Sequence, residues 1–118
     1  MPLIDLLPSD VPLVPVAAGK VIFAQGDPGD VMYVVVEGQA QIMIDGKLVE
    51  TLRAGGILGE MALIDAGPRS ATAIAKTQCV LAPINEERFG DLVGRQPEFA
   101  LHVMRVLANR LRRMDSEH

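Results

Sequence analysis

From Lys20 onward the chain alternates short apolar runs with small clusters of turn residues: "KVIFAQ", "GDPGD", "VMYVVVEGQAQIMI", "DG" and "KLVETL". Apolar runs punctuated in this way by Gly and Asp predict antiparallel strands. The sharpest local signal is Asp45-Gly46, because a two-residue hairpin turn needs positive φ, which this pair supplies. A tight hairpin is therefore predicted between "QAQIMI" and "KLVETL". The extended pattern resumes in "ATAIAKTQCVLAPI", so residues 18–84 read as a small antiparallel β-sandwich or barrel.

The two ends follow a different pattern. In residues 85–118 apolar side chains recur at helical spacing, and Phe99, Val103, Leu107, Leu111 and Met114 are predicted to share one face. Asn85 is a suitable N-cap, followed by Glu86 and Glu87 where a helix dipole favours acids. A second, longer helix is predicted to begin near Pro97, since proline suits the first turn. Residues 1–17 carry too many prolines for a long helix and read as a short turn with an extended lead-in.

Length and composition narrow the classes. A chain of 118 residues fits one domain, which at this size buries roughly two thirds of its unfolded surface. Hydrophobic residues make up 49% but aromatics only 3%, so the core is aliphatic and the composition globular. The formal charge of −4, from 15 acids against 11 bases, argues against a nucleic-acid partner, which calls for a basic surface. The N-terminus lacks a basic n-region and is broken by Asp5, Pro8, Pro12 and Pro15, so it predicts neither a signal peptide nor a membrane span. A single cysteine, Cys79, allows no intrachain disulfide and points to a reducing, cytoplasmic compartment.

One stretch fits neither pattern. "GILGEMALIDAGPRSATA", Gly56 to Ala73, sets an acid, Glu60, and a base, Arg69, among small and aliphatic residues. "GEMALI" has helix formers for a turn or two, and a helix start beside glycine exposes unpaired amides to an anion. "DAGP" then reverses the chain. Nine positions separate Glu60 from Arg69, too far to meet along one helix, but the reversal can bring both to one cavity. A guanidinium offers forked donors to phosphate oxygens. An ionised carboxylate only accepts, which suits a sugar hydroxyl. With the hydroxyls of Ser70 and Thr72, this describes a pocket for a sugar phosphate. A Glu and an Arg in a loop are more often a solvated pair worth little; here the neighbouring Ile57, Leu58, Met61, Leu63 and Ile64 argue for burial.

"GEMALIDAGPRSATA" resembles the phosphate-binding cassette of the cyclic nucleotide-binding domain, the module of the catabolite activator protein, cyclic-nucleotide-dependent kinases and cyclic-nucleotide-gated channels. "AGKVIFAQGDPGD", "VVVEGQAQI" and "FGDLVGRQPEFALHVMRVLANRL" are similar to its first strand and glycine turn, its next strands and its closing helices. The resemblance implies a mainly β fold, a jelly-roll with a short phosphate-binding helix and C-terminal lid helices. It implies one domain over 1–118, with the β-roll at 18–84, the cassette at 58–72 and the helices at 85–118. Glu60 would accept from the ribose 2′-hydroxyl, Arg69 would pair with the cyclic phosphate, and Gly59, Ser70 and Ala71 would supply amide or hydroxyl contacts, with Met61 and Ala62 also at the ligand. The ligand it implies is cAMP or cGMP, without a metal, and the region from Val103 to Arg113 would move as a lid. Ser70 leaves both purines open, because its hydroxyl could serve guanine or phosphate.

The implied function is a non-catalytic cyclic-nucleotide sensor acting on a protein effector or a covalently linked effector domain, with no membrane contact of its own. The alternative is an interaction module on the same fold that answers to another ligand or only to a protein. A barrel enzyme is disfavoured, since two isolated histidines, His102 and His118, do not make a metal site and no nucleophile is paired with a base. A transcription factor of the catabolite activator type is not expected either, because the chain ends soon after its last helix. Gly26, Gly29, Gly38 and Gly46 read as turn residues without chemistry, and Cys79 as a core residue. Arg105, Arg110, Arg112 and Arg113 read first as bases that complement a helix C-terminus, with contact to the base or a partner as the functional alternative. The apolar stripe of the last helix is open between core packing, a lid and a homodimer seam.

Overall fold

The computed structural model describes residues 3–65 and 67–116, with side chains through Arg113. Met114's side chain, Ala66 in the reversal and His118 thus lie outside the described residues. In chain order the elements are a 3-10 turn Leu3–Leu6, then β1 Val14–Val16, β2 Val21–Phe23, β3 Val31–Glu37, β4 Ala40–Ile44, β5 Lys47–Leu52, β6 Ile57–Leu58, α1 Met61–Ile64, β7 Thr72–Ala75, β8 Cys79–Asn85, α2 Glu86–Arg95 and α3 Pro97–Ser116. The strands form two four-stranded sheets, β1-β8-β3-β6 and β2-β7-β4-β5, with every pairing antiparallel. This is the sandwich, with short and C-terminal helices, that the patterning and the resemblance led one to expect.

The expected hairpin joins β4 and β5. Ile44 pairs with Lys47, and Asp45 and Gly46 both take positive φ, 51° and 79°. Strand β3 shows why its sequence reads as an almost unbroken apolar run. Met32 and Val34 pack with α2 and α3 residues Leu92, Phe99 and Val103, whereas Val35 packs with Leu52, Ala73, Cys79 and Leu81 between the sheets. Alternate side chains of one strand leave on opposite faces, and here both faces are covered.

Asn85 caps α2 as its side chain suggests, accepting at Oδ1 from the Arg88 amide at 2.8 Å. The last helix begins at Pro97. Its buried face differs from the expected one. Phe99 and Val103 are buried and Leu107 packs beside them, but Leu111 is 61% exposed. Steps of four residues advance about 40° around a helix of 3.6 residues per turn, so by Leu111 the row has rotated off the core. Val106 and Arg110 lie closer to the Phe99 direction, and they take the inward positions. No helix among the described residues is long and apolar enough to cross a membrane.

Candidate functional site

The site is built where the cassette folds back on the turn between β2 and β3. Glu60 opens α1, a single turn of four residues, in helical geometry and without a side-chain cap. Within that turn the Ala62 and Leu63 amides donate to the carbonyls of Gly59 and Glu60. After the reversal the returning segment docks on "GDPGD": the Arg69 amide donates to the Asp27 carbonyl at 2.7 Å and the Gly26 amide to the Arg69 carbonyl at 2.8 Å. Pro28 and Pro68 form a bridge beside them. The β2–β3 turn thus fixes the backbone that carries Arg69. The Thr72 hydroxyl, a candidate anion contact from sequence, accepts from the Gln25 amide at 2.8 Å and pins the start of β7 to the same turn.

Among the described residues, Glu60 and Arg69 are the buried charged side chains, 5% and 8% exposed. Arg69 reaches the carbonyl of Gly59, next to Glu60 in the chain, but no ion pair joins the two charges. The Arg69 guanidinium donates from Nη2 to the Val31 carbonyl at 2.8 Å and from Nη1 to the Gly59 carbonyl at 3.2 Å, and it lies 4.2 Å from the centre of the Phe23 ring. Its Nε is buried with no hydrogen-bond partner, and none of the ion pairs among the described residues includes it. A monocation held by carbonyls and an aromatic face alone keeps an uncompensated charge and an unused donor, an arrangement suited to an incoming anion.

Two glycines make room for it. A Cβ on Gly59, which has φ +75°, would stand 2.5 Å from Nη1, and a Cβ on Gly29 would stand 2.2 Å from Nε. Gly29 was expected to be a turn residue without chemistry. That reading is corrected: it does not adopt positive φ, and its missing side chain is the space the guanidinium occupies. Phe23 is likewise a site residue that nothing in the sequence singled out, apart from its being one of three phenylalanines.

Glu60 is compensated from elsewhere. Arg110 of α3 donates from Nη1 to Glu60 Oε1, from Nε to Glu50 Oε1 at 3.2 Å and from Nη2 to the Ile57 carbonyl at 2.8 Å. The reading of Arg110 as a solvated helix-end base is therefore corrected, because the drift that turns Leu111 outward turns Arg110 inward. Arg105 and Arg112 are exposed. Of the other predicted positions, Ala71 is buried and Ala62 half-buried, while Met61 and Ser70 are exposed. Ile57 and Leu58 are buried, whereas Met61 and Ile64, expected to share in that burial, are about half exposed. Among the described residues no group of three or more His, Cys, Asp and Glu side chains is placed to hold a metal.

The family profile described as "Cyclic nucleotide-binding domain" matches residues 13–96. The chain belongs to the cyclic nucleotide-binding domain family. It is 30% identical over 117 residues to a "CRP-like cAMP-activated global transcriptional regulator" of Mycobacterium tuberculosis, covering 95% of this chain and 50% of that protein. It is 36% identical over 102 residues to the "cAMP-dependent protein kinase regulatory subunit" of Schizosaccharomyces pombe, covering 86% and 24%. Among solved structures, the Thermus thermophilus catabolite activator protein superposes with a TM-score of 0.83 at 32% identity, over 99% of this chain and 61% of that one. The chain thus spans half or less of the curated relatives named here. Two of these relatives are named as regulators, and what this chain shares with them is the cyclic nucleotide-binding domain.

Proposed function

We propose that this domain is a non-catalytic sensor of cAMP or cGMP. The cyclic phosphate pairs with Arg69, the ribose 2′-hydroxyl donates to Glu60, and Gly59, Ser70 and Ala71 add amide or hydroxyl contacts, with Met61 and Ala62 at the edge of the ligand. Closure of α3 carries the signal to a protein effector or a linked effector domain. The observation that carries the reading is Arg69, a buried cation with an unpartnered donor set next to a buried carboxylate in a chain of this family. Two of the relatives are named for cAMP, which makes it the first ligand to try. A buried free thiol, Cys79, accords with a cytoplasmic location.

The test is isothermal titration of the purified protein with cAMP and then cGMP, beside the Arg69→Ala variant. Charge-assisted hydrogen bonds contribute about 1.5–3 kcal/mol each, so losing one weakens binding by roughly tenfold to a hundredfold or more. Unchanged affinity in the variant would remove Arg69 from the site. Failure of the native protein to bind either nucleotide would favour an interaction module on the same fold.

A further inference from the structure

Arg110 brings three donors to three different elements: Glu50 on β5, the Ile57 carbonyl on β6 and Glu60 at the cassette. The guanidinium fork is rigid and planar, so fixing one edge aims the other. Glu50 is the partner on the edge away from the cassette. Its side chain is 17% exposed, and its Oε1 also receives Arg113 Nη1 at 3.5 Å, one turn further along α3. We infer that Glu50 is a positioning residue of the nucleotide site: it holds Arg110, and with it α3, against Glu60.

The consequence follows from Glu60 itself. A carboxylate this far buried, 5% exposed, is costly to hold away from water unless a cation pairs with it. Arg110 is that cation and occupies one of the two oxygens, leaving the carboxylate oriented to accept a hydroxyl at the other. Without Glu50, Arg110 is a long side chain tied to the site by fewer bonds and free to swing toward water, where its hydration and its rotamer entropy favour it. Glu50 would then act on nucleotide affinity without touching the nucleotide, through the ribose hydroxyl alone. It would also tether α3 to β5, an edge strand of the second sheet, so β5 helps to hold the helix over the site. This inference rests on the proposed nucleotide site for its effect on affinity, but the tether itself is a property of the ligand-free protein.

The experiment has two arms on the same proteins: native, Glu50→Ala and, to keep the side-chain shape, Glu50→Gln, with circular dichroism and thermal melting verifying the fold. In the first arm, amide hydrogen exchange of ligand-free protein is followed in α3. Faster exchange around Arg110 in both variants is expected, and unchanged protection overturns the inference whatever the nucleotide result. In the second arm, cAMP and 2′-deoxy-cAMP are titrated. The expected result is that the variants bind cAMP about tenfold more weakly, the loss of one charge-assisted bond, and bind 2′-deoxy-cAMP as native protein does, so that the ratio between the two ligands shrinks. An equal loss for both ligands, or tighter cAMP binding because Arg110 had been competing with the ribose, overturns it. If native protein binds neither ligand, the nucleotide reading falls, and the exchange arm alone decides whether Glu50 holds the helix.

Discussion

Glycine at 29 and at 59 is required by the volume of Arg69, and this requirement can be measured. Gly59→Ala meets both a positive φ and a contact of 2.5 Å, so it is expected to destabilise the fold by about 1–3 kcal/mol. Gly29→Ala has no φ penalty but displaces the guanidinium, so it should weaken cyclic-nucleotide binding more than it lowers stability. Chemical denaturation beside titration separates the two effects, and equal losses in both variants would refute the distinction. Cys79 gives a second residue-scale expectation. Burial raises its thiol pKa, partly offset by hydrogen bonds to the Gln39 carbonyl and the Thr77 side chain. The folded state therefore keeps its proton to higher pH than the unfolded chain does, and stability should be present below the ordinary thiol range and fall as pH climbs through it. Iodoacetamide at pH 8 should label Cys79 slowly in the native protein and rapidly in denaturant. That Cys79 is a core residue was legible from its apolar neighbours; that Gly29 is a site residue was not, because only a folded backbone shows what fills the space beside it.

Capping and helix composition can be tested one element at a time. Asn85 is the acceptor that starts α2, and Asn85→Ala should cost about 1 kcal/mol. In the same helix Gly90 faces open space, so that an added Cβ would meet nothing within 4 Å, and its φ is not positive. Gly90→Ala should accordingly stabilise by roughly 0.5–1 kcal/mol. Urea melts of the two variants should thus shift in opposite directions. On α3, Phe99 is fully buried and Leu111 largely exposed. Phe99→Ala is therefore expected to cost about 3–5 kcal/mol, and Leu111→Ser close to nothing. The hairpin at Asp45-Gly46, the cap at Asn85 and the start at Pro97 were all visible in the sequence, since each depends on residues a few positions apart. The far end of the α3 face was not, because a row of every fourth residue rotates away from the core and only the packed partner decides where contact stops.

For the molecule as a whole, ligand binding and stability are linked. A ligand at a hundred times its dissociation constant should raise stability by about 2.7 kcal/mol, seen as an upward shift of the thermal midpoint with cAMP or cGMP that Arg69→Ala loses. The chain spans 50% of its mycobacterial relative and 24% of the fission-yeast one. The amino-acid sequence by itself determined the β-rich class, the hairpin, the closing helices and the two charged residues of the cassette, because turn chemistry, periodicity and a compact motif are local. Only the tertiary structure decided that Arg69 rests on Phe23 between two glycines, and that Glu60 is neutralised from α3 by Arg110 with Glu50 behind it. Burial determines the partner a charge must find, and for Glu60 that partner lies fifty residues along the chain, brought near only by the closing of the sandwich and the docking of the last helix.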